Sequence, residues 1–176
     1  MELIIGLFHL FIMLYQIFYP IFFNNYFYDI IYILFFYIIL LSYILLKGEC
    51  IVTLLFKLIN DDKYKLGSDI FNLNDVENIL PFVNRGFIHS IFGILPLYFS
   101  FMLYKINNRT KALPNYNFLL FCICYLFFIL YLRQFFNEEL FKKYNLEDNI
   151  IYFIILATPF LLYSIYILVN KLYKSK

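Results

Sequence analysis

Residues 47–80 read KGECIVTLLFKLINDDKYKLGSDIFNLNDVENIL, the one long polar interruption in a chain otherwise written almost wholly in apolar residues. Two apolar runs precede it, at 3–23 and 30–46, and three follow, at 86–104, 117–132 and 150–170. A membrane crossing takes about 20 apolar residues at a rise of about 1.5 Å each. The pattern predicts an all-α integral membrane protein, a single membrane domain over 1–176 with about five transmembrane helices and an interfacial amphipathic helix.

Composition agrees. Of 176 residues, 64% are hydrophobic and 15% charged, which leaves too little polar material to cover a soluble domain. Lipid is the expected solvent for much of the surface. A net charge of +2, with no basic block, excludes a nucleic-acid partner. Phe, Tyr, Ile, Leu, Asn and Lys dominate and Trp is absent, a bias that AT-rich codons would write.

Inside the interruption, Cys50–Asn60 is amphipathic. Thr53, Lys57, Asn60 and Asp61 share one helical face, while Ile51, Leu54, Leu55, Leu58 and Ile59 take the other. That is the pattern of a helix lying in the membrane interface. Asp61–Asp69 contains Gly67 and should turn. Asn74 and Glu77 have the spacing of an N-cap and its reciprocal acid, so a further helix should begin near Asp75.

Working outward, the first run carries His9 and Gln16 on nearly one helical face, and that face should look into the bundle because polar groups are costly against lipid. Met1-Glu2-Leu3 lacks a basic leader region, so the run is expected to be a retained span. Asn24–Asp29 should form a tight turn. In the third run, Gly86, Ser90, Gly93 and Ser100 form a seam of small residues that lets helix backbones approach closely, which predicts a central place in the bundle for this helix. His89 lies beside the seam and Pro96 interrupts its ladder. Lys105–Tyr116 should be a polar loop, Arg133–Asn149 a charged connector that begins as a helical extension, and Thr158-Pro159 a kink. Lys and Arg number eight on the side of the long segment and six on the other, a slight bias towards a cytoplasmic segment.

Few constellations carry chemistry. His9 and His89 could bind a metal or haem from two helices, but no flanking pattern supports a cofactor, and histidines hydrogen-bonded between helices are expected instead. A calcium loop starting at Asp62 would put Tyr64, Leu66 and Leu73 where oxygen ligands belong, so no metal is expected. Cys122 and Cys124 sit in an apolar run and behave as small hydrophobes. Cys50 sits at a boundary, where acylation or metal binding stands beside a plain interfacial role. Glu49-Cys50 could supply a nucleophile only with a base to activate it, and no histidine is near in sequence; His89 could approach only through folding. Asp29, Glu49 and Glu138 all lie near boundaries, which excludes a paired intramembrane carboxylate site.

Gly48-Glu49-Cys50-Ile51-Val52-Thr53, then Lys57, then Tyr64-Lys65-Leu66-Gly67, resembles a segment of multi-pass membrane proteins of large DNA viruses and some protists. The resemblance covers residues 48–67 and implies a membrane protein of that type, with Glu49, Cys50, Tyr64 and Gly67 as its interfacial motif. No activity comes with it.

The leading expectation is a structural or scaffolding membrane protein, in a viral or intracellular membrane, whose residues 47–80 face a protein partner. One alternative is a small transporter or channel with His9, Gln16, Arg85 and His89 as an internal polar track. Another is a membrane-bound redox or lipid-modifying enzyme that uses Cys50 or the histidines.

Overall fold

A computed structural model of the chain describes residues 2–46, 49–61, 63–66, 85–135 and 146–175. Gly67, the helix expected near Asp75, and Glu138 lie outside the described residues, as do the side chains of Arg85, Gly86, His89, Ser90 and Gly93. Regular structure among the described residues is all helical: α1 (Glu2–Phe22), α2 (Tyr26–Leu45), α3 (Ile51–Asn60), α4 (Arg85–Thr110), α5 (Asn115–Phe135) and α6 (Leu146–Lys174). Three helices are long and apolar enough to cross a membrane, over Leu3–Phe22, Tyr26–Leu45 and Phe153–Lys174.

The boundaries follow from caps the apolar runs do not reveal. Asn25 is the N-cap of α2, and its Oδ1 accepts from the amides of Phe27 at 3.1 Å and Tyr28 at 3.3 Å. The helix therefore starts at Tyr26, and the turn expected over Asn24–Asp29 shrinks to the residues before it. The loop expected over Lys105–Tyr116 shrinks likewise, because α4 runs on to Thr110. Asn107 then brackets the turn, donating to the Leu113 carbonyl at 3.0 Å and accepting from the Leu113 amide at 2.9 Å. Lys111 takes the left-handed conformation that ends the helix, with φ of 49°. Pro20, Pro96 and Pro159 all lie within helices that continue past them.

The helix of the third run, α4, packs against α1, α2 and α5, and α2 is buried beside it. Ile30, Tyr32, Ile33, Phe36, Tyr37 and Leu40 are all buried, so α2 is covered on more than one side. It packs against α6 and α4. Phe36 meets Phe99 of α4 with ring centroids 5.0 Å apart, and Tyr37 stacks on Phe121 of α5 at 4.2 Å. Aromatic pairs at such distances gain about 0.5–1.5 kcal/mol beyond area burial. A polar tie sits in the same core: Asn117 Oδ1 accepts from the hydroxyls of Tyr37 and Ser164, each at 3.1 Å, and so joins α2, α5 and α6.

The outside of the bundle is apolar. On α1, Leu7, Phe8, Phe11, Leu14 and Phe18 are exposed, while His9 and Gln16 are buried. The helix α3 shows the same inversion. Its polar residues Thr53 and Lys57 are buried with Leu54 and Phe56, and Ile51, Leu55, Leu58 and Ile59 are exposed. A water-soluble helix would turn the other way. Polar groups inside and aliphatic groups outside is the arrangement that contact with a lipid bilayer allows.

Candidate functional site

The chemistry gathers at the corner where α2 ends and α3 begins. The Leu46 amide donates to the Ser42 carbonyl at 2.8 Å, and the Glu49 amide donates to the Leu46 carbonyl at 3.1 Å. The chain turns at once, and Cys50 becomes the N-cap of α3 with an extended backbone. Gly48 and Lys47 of this turn are outside the described residues.

Glu49 is buried, 1% exposed, and a carboxylate so placed requires partners. The Tyr64 hydroxyl donates to its Oε1 at 2.6 Å, and the Lys57 Nζ lies 3.6 Å from its Oε2. Lys57 in turn donates to the Tyr64 oxygen at 3.2 Å. The three residues close a ring of polar contacts. Lys57 reaches it because it lies with Thr53 on the buried face of α3. Tyr64 reaches it because the chain reverses after Asp61, whose Oδ1 accepts from the Lys63 amide at 2.9 Å.

Beside this ring, the Cys50 Sγ lies 3.6 Å from the His9 Nε2 of α1. Tyr43, two residues before the end of α2, lies close to the same sulfur. Cys50 is a free cysteine and partly exposed. Burial pushes its thiol up. The hydrogen bond and charge of His9 push it down, as do the amides of Thr53 and Val52, and the thiol ends below its ordinary value. The sulfur makes no hydrogen bond of normal geometry that caps α3. The sulfur lies at the start of α3, where the free amides and the positive end of the helix favour an anion. Nucleophile, base and helix terminus therefore converge on one sulfur.

A second buried cluster lies at the opposite end of the α1–α2 hairpin. Asp29, 1% exposed, accepts from the Tyr19 hydroxyl at 2.9 Å and from Arg109 Nε at 2.7 Å. Arg109 Nη2 also donates to Asp29 Oδ1 and, at 3.0 Å, to the Phe23 carbonyl. Both carboxylate oxygens of Asp29 are engaged, and Arg109 holds them through Nε and Nη2. Its role is to fasten the α1–α2 turn to the end of α4.

The residues singled out from sequence divide accordingly. Glu49, Cys50 and Tyr64 come together, and Gly67 lies outside the described residues. His9 and Gln16 share the inward face of α1, but His9 meets Cys50, while the backbone carbonyl of Gln16 accepts from the Tyr32 hydroxyl at 2.7 Å. The side chains of Arg85 and His89 are not described, so the polar track is seen only in its α1 half. Ser100 is partly buried on α4. No group of three or more His, Cys, Asp or Glu suited to a metal ion occurs among the described residues. Sequence reasoning sought the base for Cys50 in His89 and passed over His9, 41 positions away. The signal that could have found it is the hairpin itself: antiparallel pairing of α1 and α2 returns the end of α2 to the beginning of α1.

Comparison of the chain with protein-family models, with curated proteins and with solved structures finds no match.

Proposed function

We propose that this chain is a multi-pass membrane protein whose working group is the Cys50 thiol, paired with His9 as nucleophile and base at the edge of the bilayer. In this reading all five long helices cross the membrane, and α3 lies at its boundary. The observation that carries the reading is the 3.6 Å contact between Cys50 Sγ and His9 Nε2 at the N-terminus of α3. Cys and His are in reach of one another only because three separate elements meet there. Thiol chemistry at neutral pH needs this kind of setting, since the thiolate is the reactive form.

The resemblance over residues 48–67 centres on the same Gly48-Glu49-Cys50 corner and fits this reading. A scaffold that offers residues 47–80 to a partner would need polar groups facing outward. On the described part of that segment, Glu49, Thr53 and Lys57 face inward, while Asn60, Asp61, Lys63 and Lys65 are exposed. The inward groups favour the thiol reading, and the exposed ones leave room for a partner surface beside it.

The test is alkylation by iodoacetamide of the full chain in lipid nanodiscs, followed by pH. Cys50 is expected to react with a midpoint below that of an ordinary thiol, and His9→Gln is expected to move the midpoint upward. A Cys50 midpoint at the ordinary value, indifferent to His9→Gln, overturns the proposal.

A further inference from the structure

Three features constrain what can reach the Cys50 sulfur. The first is the closed polar ring. Glu49, Lys57 and Tyr64 engage one another on one side of the corner, so their polar groups are drawn to each other and away from the sulfur. The second is the apolar outer wall. Ile51, Leu55, Leu58 and Ile59 of α3 are 45–52% exposed, and α3 packs on α1, whose Phe8 and Phe11 flank His9 on the outside and are also exposed. The third is the water side. Just past α3, Asp61, Lys63 and Lys65 are exposed. The thiol thus sits where an aliphatic surface meets a polar edge that carries the exposed amines of Lys63 and Lys65 beside Asp61.

We propose that Cys50 is an S-acylation site that takes a long fatty-acyl group directly from an acyl thioester. The proposal rests on the nucleophile reading above and adds the substrate class to it. The acyl chain lies in lipid along the outer row of α3. The anionic carrier stays on the water side, near Lys63 and Lys65. The Cys50 thiol gives its proton to His9, and the sulfur attacks the thioester carbonyl carbon. A new carbon–sulfur bond forms to Cys50, and the bond from that carbon to the carrier sulfur breaks. The carrier leaves as a thiolate and takes the proton from His9. The products are acylated Cys50 and the free carrier thiol, with no change of oxidation state and no further reactant.

Chain length separates this from general thiol reactivity. Each methylene moved from water into lipid adds about fourfold to partitioning, so a long chain concentrates at the site and a short one does not. The experiment incubates the full chain in phosphatidylcholine nanodiscs with alkynyl-hexadecanoyl coenzyme A or with acetyl coenzyme A. The acyl group on Cys50 is then located by mass spectrometry and by its release with hydroxylamine. Long-chain acylation is expected to be faster than acetylation by about a hundredfold or more. It is expected to be lost in Cys50→Ser and slowed about a hundredfold in His9→Gln, the usual worth of a positioned base. The chain-length comparison uses the unaltered protein and stands whether or not either variant folds. Equal rates for the two donors, or no acylation by either while iodoacetamide modifies Cys50 readily, overturns the inference and leaves the nucleophile reading intact. An ordinary iodoacetamide profile at Cys50 overturns both.

Discussion

Arg109 grips Asp29 with two nitrogens, 80 positions away along the chain, and the carboxylate it holds is almost wholly buried. The pair also reaches Tyr19 and the Phe23 carbonyl, so one charge contact fixes α1, α2 and α4 at the same end. Breaking such a pair from one side leaves a buried charge alone, which costs about 3–5 kcal/mol. Arg109→Ala is therefore expected to lower stability by that amount in detergent unfolding. Arg109→Lys keeps the charge but not the two-pronged fit and should lose less. A loss under about 1 kcal/mol in Arg109→Ala would show that Asp29 finds another partner.

At the opposite end Tyr64 plays a comparable part. Its hydroxyl joins Glu49 to Lys57 and ties the chain that follows α3 back to its start. Hydrogen bonds to a charged group are worth about 1.5–3 kcal/mol, so Tyr64→Phe should destabilise within that range. The local consequence is easier to read. Limited proteolysis should cut after Lys63 or Lys65 faster in Tyr64→Phe than in the unaltered protein. Equal cutting rates would mean that the loop is held by something other than this hydroxyl.

Helix content and membrane character were legible in the sequence because they depend on run length and polarity alone. The apolar runs at 3–23 and 30–46 became α1 and α2, displaced by a few residues where Asn25 set the cap. The amphipathic stretch after Cys50 became α3, but its facing was not legible. A helical wheel says which residues share a side and cannot say which side meets lipid. Glu49 decided that, since its buried carboxylate drew Lys57 inward. In the sequence Asp29 belongs to a turn near the interface, because nothing local marks Arg109 as its partner. The meeting of Cys50 with His9 was hidden for the same reason: it depends on how two helices return past one another, a long-range fact with no sequence period.

The facing of α3 makes a prediction of its own. If lipid covers Ile51, Leu55, Leu58 and Ile59, single cysteines placed at 55 and 58 in a Cys50→Ser/Cys122→Ala/Cys124→Ala background should take a lipid-borne photoreactive or spin label. A cysteine at Thr53, which is 3% exposed, should not. Charge on the outer row should also be costly. Leu55→Lys is expected to weaken insertion of α3 into the boundary by roughly 2–4 kcal/mol if the site lies deep, and by about 0–1 kcal/mol if it lies at headgroup level. The size of the loss therefore measures depth. Strong labelling at 53 with none at 55 would mean that α3 is inverted.

Cys50 ties stability to pH, and the sign can be worked out. Its thiol is held below the ordinary value in the fold, where burial is outweighed by His9 and by the amides of Thr53 and Val52. The folded protein thus releases this proton at a lower pH than the unfolded chain does. Above the ordinary thiol value both states are ionised, and the full stabilising contribution is present. Between the ordinary and the folded value the contribution shrinks as pH falls, by at most about 1.4 kcal/mol per pH unit. Below the folded value both states are protonated and nothing remains. Cys50→Ser removes the titration without removing the corner, so the stability gap between the two proteins should narrow as pH is lowered through that window. Chemical unfolding in detergent at a series of pH values measures it. A gap that stays constant, or widens towards acid, would mean that the fold holds Cys50 as the neutral thiol and that His9 serves it only as a hydrogen-bond partner.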